Sequence, residues 1–269
     1  MPLRRIVLAC LFAAGIPCPA YAEQGAVAPV GHAHNDYRHE RPLLDALDNG
    51  FGSVEADVYL RDGELLVGHD PWELKPDRTL ERLYLAPLAA RVKANDGRVH
   101  RGVDRFWLFI DIKTDGKNCY AALQKQLAAY DDMLTKIVDG KVRPGAVTVV
   151  VSGDRPVEAI TADATRYAGI DGRLTDLASE APPHLIPVIS DNWSSCFRWN
   201  GVGEMPAAER RKLADVVAQA HAAGRVVRFW ATPENEAVWT ELVDADVDLI
   251  NTDQLERLAK FRLGKTVPQ

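Results

Sequence analysis

Short apolar runs alternate with longer stretches of helical spacing from one end of this chain to the other. Strand-like runs fall at 27–33, 52–58, 105–112, 146–152, 167–171, 185–190, 225–231 and 247–251. Helical patterns fall at 41–49, 85–95, 117–138, 155–164, 206–223, 234–244 and 253–262. Within 117–138, Leu123, Leu127 and Tyr130 return on one face of a 3.6-residue period. Pro233-Glu234-Asn235-Glu236 puts acids in the first turn of a helix, where the backbone dipole favours them. Strand-then-helix repeated in this way predicts an α/β fold built on a parallel sheet. The fifth unit is reduced, because Ala181-Pro182-Pro183 interrupts any helix there.

The first 22 residues stand outside this pattern. Arg4-Arg5 precede a mostly apolar stretch from Ile6 to Ile16, and Ala20-Tyr21-Ala22 has the small-x-small form of a cleavage site. We read 1–22 as a cleaved signal peptide and expect a periplasmic or secreted protein. Cleavage after Ala22 leaves 269 − 22 = 247 residues, a length that suits a single (βα)8 TIM barrel over 23–269. No other run approaches the ~20 apolar residues of a membrane span, so no stable membrane insertion is expected. The formal charge is −6, and loss of the two leader arginines takes it to −6 − 2 = −8. The chain shows no basic patch of the kind nucleic-acid binders carry. Cys119 and Cys196 survive cleavage, both in loops after strand-like runs. In an oxidising compartment they would be bridged; two free thiols are the alternative.

Chemistry concentrates at the ends of the early strands. His32-Ala33-His34-Asn35-Asp36-Tyr37, Glu55-Ala56-Asp57 and Gly68-His69-Asp70 each follow a short apolar run. In a parallel barrel such strand ends share one mouth. Two histidines suit a general base and a general acid. Glu55 and Asp57 point to the same side of a strand, because alternate residues share a face, and they offer hard oxygen ligands. The combination points to metal-assisted cleavage of a phosphate ester. Asp111-Ile112-Lys113 follows the apolar run Phe106 to Ile110 as a fourth cluster.

Four such clusters in this order resemble the glycerophosphodiester phosphodiesterase and phosphatidylinositol-phospholipase C-like superfamily. Gly63 to Asp70 matches the family's Gly-x-x-x-x-His-Asp hairpin, and Val227 to Thr232 and Val247 to Asp253 look like its last two strands. The resemblance implies a TIM barrel in which His32 and His69 perform acid/base catalysis. Glu55, Asp57 and Asp111 would hold Mg²⁺ or Ca²⁺, and Lys113 would clamp the phosphate. His34 and Asn35 would contact phosphate or metal, and Trp230 would line the substrate wall or simply pack. In relatives a hydroxyl of the substrate attacks and a cyclic phosphate forms first. The expected substrate is a small glycerophosphodiester or lysophospholipid-like ester. The His-x-His-Asn-Asp-Tyr form departs from the common His-Arg-Gly and Glu-Asn-Thr patterns. It is closer to a branch that includes a fungal mitochondrial-inheritance protein.

Two other readings compete. His32-Ala33-His34 is also the His-x-His form of amidohydrolase-type metal sites, but those need further histidines at late strand ends. His184 starts its strand and His221 falls in a helix. A barrel that binds headgroups without turnover is the other. His39 and His100 have no motif context, and Ser152, Asp191, Asn192 and Trp193 sit at strand ends without an assigned role.

Overall fold

The computed structural model describes residues 30–100 and 105–265, so the expected leader and cleavage site lie outside the described residues. In chain order the strands are β1 (Val30–Ala33), β2 (Ser53–Arg61), β3 (Glu64–Val67), β4 (Phe106–Ile112), β5 (Lys136–Val138) and β6 (Lys141–Arg143). They continue with β7 (Val147–Gly153), β8 (Thr165–Arg166), β9 (Ala168–Gly172), β10 (Val188–Asn192), β11 (Val226–Trp230) and β12 (Leu249–Thr252). The helices are α1 (Leu44–Asp48), α2 (Ala86–Ala94), α3 (Gly116–Ala128), α4 (Val157–Ala162), α5 (Trp193–Cys196), α6 (Ala207–Ala222), α7 (Glu236–Asp244) and α8 (Leu255–Lys265).

Eight parallel strands close on themselves in the order β1-β2-β4-β7-β9-β10-β11-β12, with β12 pairing back to β1. This is the expected (βα)8 barrel. Its cause is visible in the strand alternation. Val54, Ala56, Val58, Leu108, Ile110, Ile112, Val149 and Val151 face outward and pack with the helices in the main core. Their neighbours Trp107, Phe109, Val150, Val188 and Leu249 face inward and form a separate apolar plug in the lumen. Strands buried on both faces read as near-continuous apolar runs, as parallel sheets require. Each fully buried Val, Leu or Ile contributes about 1.5–3 kcal/mol.

Two departures matter for the site. First, β2 runs on into an antiparallel hairpin with β3, turned by Asp62 (φ 50°) and Gly63 (φ 85°). Left-handed backbone at both central residues suits a type I′ turn. The hairpin returns Gly68 to the end of β2, where its N–H donates to the Asp57 carbonyl at 3.1 Å, and so delivers His69 to the mouth. The reduced fifth unit is also present: only a turn at Leu174–Asp176 lies between β9 and β10 as helical structure.

The expected helix over 117–138 ends at Ala128 instead, and β5, β6 and β8 form a small antiparallel sheet. The alternation in Thr135 to Arg143 around Asp139-Gly140 (φ 47° and 74°) is a hairpin signal that outweighs the weak helical spacing. The expected disulfide is also corrected. Cys119 is buried in α3, Cys196 is in α5, and both are free. Their units follow β4 and β10, three strands apart in the barrel, or roughly 14 Å at 4.8 Å per strand. That is too far to bridge.

Candidate active site

Pairing aligns Asp57 of β2 with Asp111 of β4, and Asp111 with Ser152 of β7, across the carboxyl ends of three neighbouring strands. Glu55 lies two residues deeper on β2, on the same face. One carboxylate oxygen from each of Glu55, Asp57 and Asp111 falls within 4.8 Å of the others. Lys113 spans two of them, with Nζ 2.9 Å from Asp57 Oδ2 and 3.4 Å from Asp111 Oδ1. Ser152 donates to Asp111 Oδ2 at 3.0 Å.

The electrostatics follow from crowding. Burial and then the charges of Glu55 and Asp57 push Asp111 up to about 6, against the pull of Lys113. Burial opposes charge on Lys113, but Asp111 and Asp57 outweigh it and raise its pKa. Glu55 is buried, yet Arg228 and His32 hold its carboxyl well below the usual range. Asp57 Oδ1 is buried with no partner. Three converging hard oxygens, mutual repulsion and an orphaned acceptor together make a donor set that fits Mg²⁺ or Ca²⁺.

The three histidines are held very differently. His32 is fully buried. Its Nδ1 lies 2.6 Å from Ser53 Oγ, and its Nε2 lies 2.7 Å from Arg228 Nη1 and 3.1 Å from Glu55 Oε2. Both ring nitrogens are therefore engaged by neighbouring side chains, and which of them carries the hydrogen follows the tautomer. Burial and then Arg228 lower this pKa to about 4. His34 and His69 are instead partly exposed, at 31% and 41% of the side chain. His34 Nδ1 is 2.8 Å from Asp253 Oδ1, and His69 Nδ1 is 2.9 Å from Asp57 Oδ2. Each ring is thus oriented by a carboxylate on one nitrogen, which leaves Nε2 for a ligand. Although burial works against protonation of His34, Asp253 and Glu55 raise its pKa overall.

Asn35 adopts left-handed backbone (φ 47°) and closes the turn after β1. The Tyr37 hydroxyl lies 2.9 Å from both Asn35 Oδ1 and Asp57 Oδ2, tying the first strand's end to the carboxylates. Trp230 ends β11 on the lumen side, in register with Asn192, and is partly exposed. Trp193 is buried against Phe197 and Phe229 and belongs to the core. His100, His184 and His221 bond Phe51, Arg166 and Asp248 respectively.

Sequence reasoning missed Arg228. This guanidinium is buried at 3% exposure; it donates to Glu55 Oε2 at 2.6 Å and approaches Asp171 Oδ2 at 3.5 Å. Asp171, also buried, accepts from Ser190 Oγ at 2.7 Å and Arg173 Nη1 at 2.9 Å. The signal was present as a charged residue inside the apolar run Val226 to Trp230, on the face that Trp230 shares. His32 and His34 do not converge as a metal pair: among the described residues, the carboxylate trio is the group of three ligand-type side chains that comes together.

A closed (βα)8 barrel with acids and histidines gathered at the carboxyl ends of its first strands has the layout of a phosphodiesterase barrel. Comparison with known proteins agrees. Residues 23–170 match the AIM6-like phosphodiesterase domain, and residues 226–256 match the glycerophosphoryl diester phosphodiesterase family. The chain is 30% identical to the altered inheritance of mitochondria protein 6 homolog of Arthroderma benhamiae, over 88% of this chain and 85% of that protein. It is 27% identical to the Saccharomyces cerevisiae altered inheritance of mitochondria protein 6, over 83% and 68%. The chain belongs to the AIM6-like phosphodiesterase family.

Solved structures place the fold. A calcium-dependent phosphoinositol-specific phospholipase C from a Pseudomonas species aligns with TM-score 0.54 at 12% identity, covering 85% of this chain and 89% of that one. A glycerophosphodiester phosphodiesterase from Agrobacterium tumefaciens aligns with TM-score 0.52 at 17% identity, covering 88% and 100%.

The relatives also correct the expected location. They are fungal proteins named for mitochondrial inheritance, so the periplasmic or secreted assignment is withdrawn. Paired arginines before a short apolar stretch do not by themselves name a compartment, since export signals and organelle-targeting segments both begin with basic residues.

Proposed function

We propose that this protein is a divalent-cation-dependent phosphodiesterase acting on glycerophosphodiesters or lysophospholipid-like esters. The observation that carries this is the carboxylate trio flanked by two histidines, each with one nitrogen anchored on an aspartate. A Mg²⁺ or Ca²⁺ ion held by Glu55, Asp57 and Asp111 would supply positive charge that polarises the phosphate and acidifies a neighbouring hydroxyl.

The chain's own residues do the rest. His34 and His69 carry the two proton transfers, one removing a proton from the attacking hydroxyl and the other protonating the leaving oxygen. Both face the mouth, and Asp253 and Asp57 fix their tautomers. This moves the first-strand acid/base role from His32 to His34. His32 has both ring nitrogens engaged below the site, and it positions Glu55 together with Arg228. Lys113 places its ammonium beside the trio, where charge develops on the phosphate oxygens. The side-chain oxygen of Asn35 accepts from the Tyr37 hydroxyl that also reaches Asp57, which ties Asn35 to the carboxylates, and Trp230 would form part of the wall.

The test is turnover of glycerophosphocholine, followed by choline release, after treatment with EDTA and re-addition of single cations. EDTA should abolish release, and Mg²⁺ or Ca²⁺ should restore it. Full activity in chelated protein, or rescue by Zn²⁺ alone, would reject the oxygen-ligand site. Substrate binding with no turnover under any cation would favour the headgroup-binding alternative.

A further inference from the structure

One side of the mouth is not used by the chemistry just described. Arg155 follows β7 and Arg173 follows β9, so both stand at carboxyl ends of the barrel, on the side away from β1. They converge on one residue. Arg155 Nη1 donates to the main-chain oxygen of Asp171. Arg173 Nη1 donates to Asp171 Oδ2 at 2.9 Å and to the Gly172 oxygen at 2.9 Å, and it reaches Ser190 Oγ at 3.4 Å. Among the described residues, these side-chain bonds engage only Nη1 of each guanidinium, and neither arginine has a buried orphan nitrogen. The remaining N–H groups of both forks are therefore not sealed in the interior.

Asp171 is the carboxylate bonded by Arg173, and it is shared with Arg228. The two half-buried guanidiniums also act on each other: burial first, and then the like charge of Arg173, depresses the pKa of Arg155. Asp171, Asp176 and Asp111 act on Arg155 in the opposite sense, yet side-by-side guanidiniums with N–H groups to spare still match an oxyanion's acceptors. The two arginines lie one and two strands beyond Asp111, roughly 5–10 Å from the carboxylate trio at about 4.8 Å per strand. A small polyol headgroup covers that distance.

We propose that Arg155 and Arg173 form a subsite for a second phosphate, a phosphomonoester on the headgroup of the phosphodiester substrate. This rests on the reading of the carboxylate trio as the place where the diester phosphate binds. Two forks, rather than one, fit a tetrahedral dianion, so the preferred substrate carries a phosphorylated polyol.

Glycerophosphoglycerol and glycerophosphoglycerol phosphate differ by this one group. Isothermal titration of each into EDTA-treated protein reads the subsite without turnover. The phosphorylated diester should bind at least tenfold more tightly, since hydrogen bonds to charged groups are each worth about a factor of ten or more. The double variant Arg155→Gln, Arg173→Gln should lose that preference, and Arg155→Lys, Arg173→Lys should keep part of it. Retention of the Lys pair's preference separates charge recognition from simple damage to the fold. Equal binding of the two diesters by the parent, or an undiminished preference in the Gln pair, overturns the subsite. Turnover with Mg²⁺ or Ca²⁺ is measured alongside. If neither diester is cleaved while the binding preference and its loss stand, the hydrolytic reading fails and the subsite survives. If both are cleaved with equal kcat/KM and bound equally, the subsite fails and the hydrolytic reading survives.

Discussion

The two ends of the barrel lumen obey the same strand alternation and carry opposite chemistry. At the amino end, Trp107, Phe109, Val150, Val188 and Leu249 fill the interior with apolar side chains. At the carboxyl end the inward positions become Glu55, Asp57, Asp111, Ser152, Asp171 and Arg228, most of them buried. The first end is what folding favours unaided. The second places like charges within a few ångströms, and it holds together through Arg228, Lys113 and Tyr37. Phe109 marks the seam: the His32 ring meets it edge-on at 4.8 Å, and the Arg228 guanidinium lies 4.5 Å from its centroid. His32 therefore belongs to the floor, whereas His34, two residues on and past the end of β1, belongs to the mouth.

The sharpest way to break this division is to compare those two histidines. His34→Ala and His69→Ala should each lower turnover by ~10²–10⁴, with thermal stability close to the parent's. His32→Ala should instead lose stability, because it empties a buried site and strips Ser53, Glu55 and Arg228 of a partner. Kinetics and urea denaturation on the three variants decide the matter. If His32→Ala keeps parental stability and loses as much rate as His69→Ala, while His34→Ala stays within threefold of the parent, the reassignment to His34 is wrong.

Arg228 sharpens the same contrast from the side of stability. Removing one partner of a buried ion pair leaves the other charge unpaired, at a cost of about 3–5 kcal/mol. Here Glu55 and Asp171 would both be abandoned. Arg228→Leu should therefore lower the unfolding free energy by that amount, read from urea midpoints at constant m. A loss below about 1 kcal/mol would mean that the carboxyl end does not depend on this cation.

How much of this was legible in the chain depends on the range of the signal. Barrel class, the β2–β3 hairpin and the acids at strand ends are local patterns, and the acids do gather as their spacing suggested. The exchange of roles between His32 and His34 could not be read, because it depends on where β1 stops and on Asp253 and Arg228, more than 190 positions away in each case. Arg228 and Asp171 are charged positions inside otherwise apolar strands, and only the closed barrel makes them face each other. Cys119 and Cys196 looked alike as loop cysteines, yet the barrel sets them three strands apart. The small sheet β5-β6-β8 was hidden by a stronger expectation that α3 continued.

A smaller effect tests the strap that carries His34 and Asn35. Asp36 is buried beneath it, accepting the Leu43 N–H at 2.5 Å and the Tyr84 hydroxyl at 2.9 Å on Oδ2, while Oδ1 has no partner. Burial outweighs those two bonds and raises its pKa from 3.8 to about 6. The native state thus keeps this proton to higher pH than the unfolded chain. Below pH 4 both states are protonated; between about 4 and 6 the unfolded chain ionises first, so this group's linkage makes the protein less stable as pH rises. The shift of about two units at 1.36 kcal/mol each corresponds to on the order of 2–3 kcal/mol. Asp36→Asn keeps an acceptor for Leu43 and Tyr84 and cannot ionise. The difference in unfolding free energy between variant and parent should therefore move in the variant's favour from pH 4 to pH 7, most steeply near pH 5, midway between the two pKa values. Other titrating groups, Asp111 among them, cancel in that difference because both proteins carry them. A difference that stays flat across the window would show that Asp36 is ionised in the folded protein throughout. The strap would then rest on a charged cap of the Leu43 turn, which couples the mouth to pH no more than the apolar floor does.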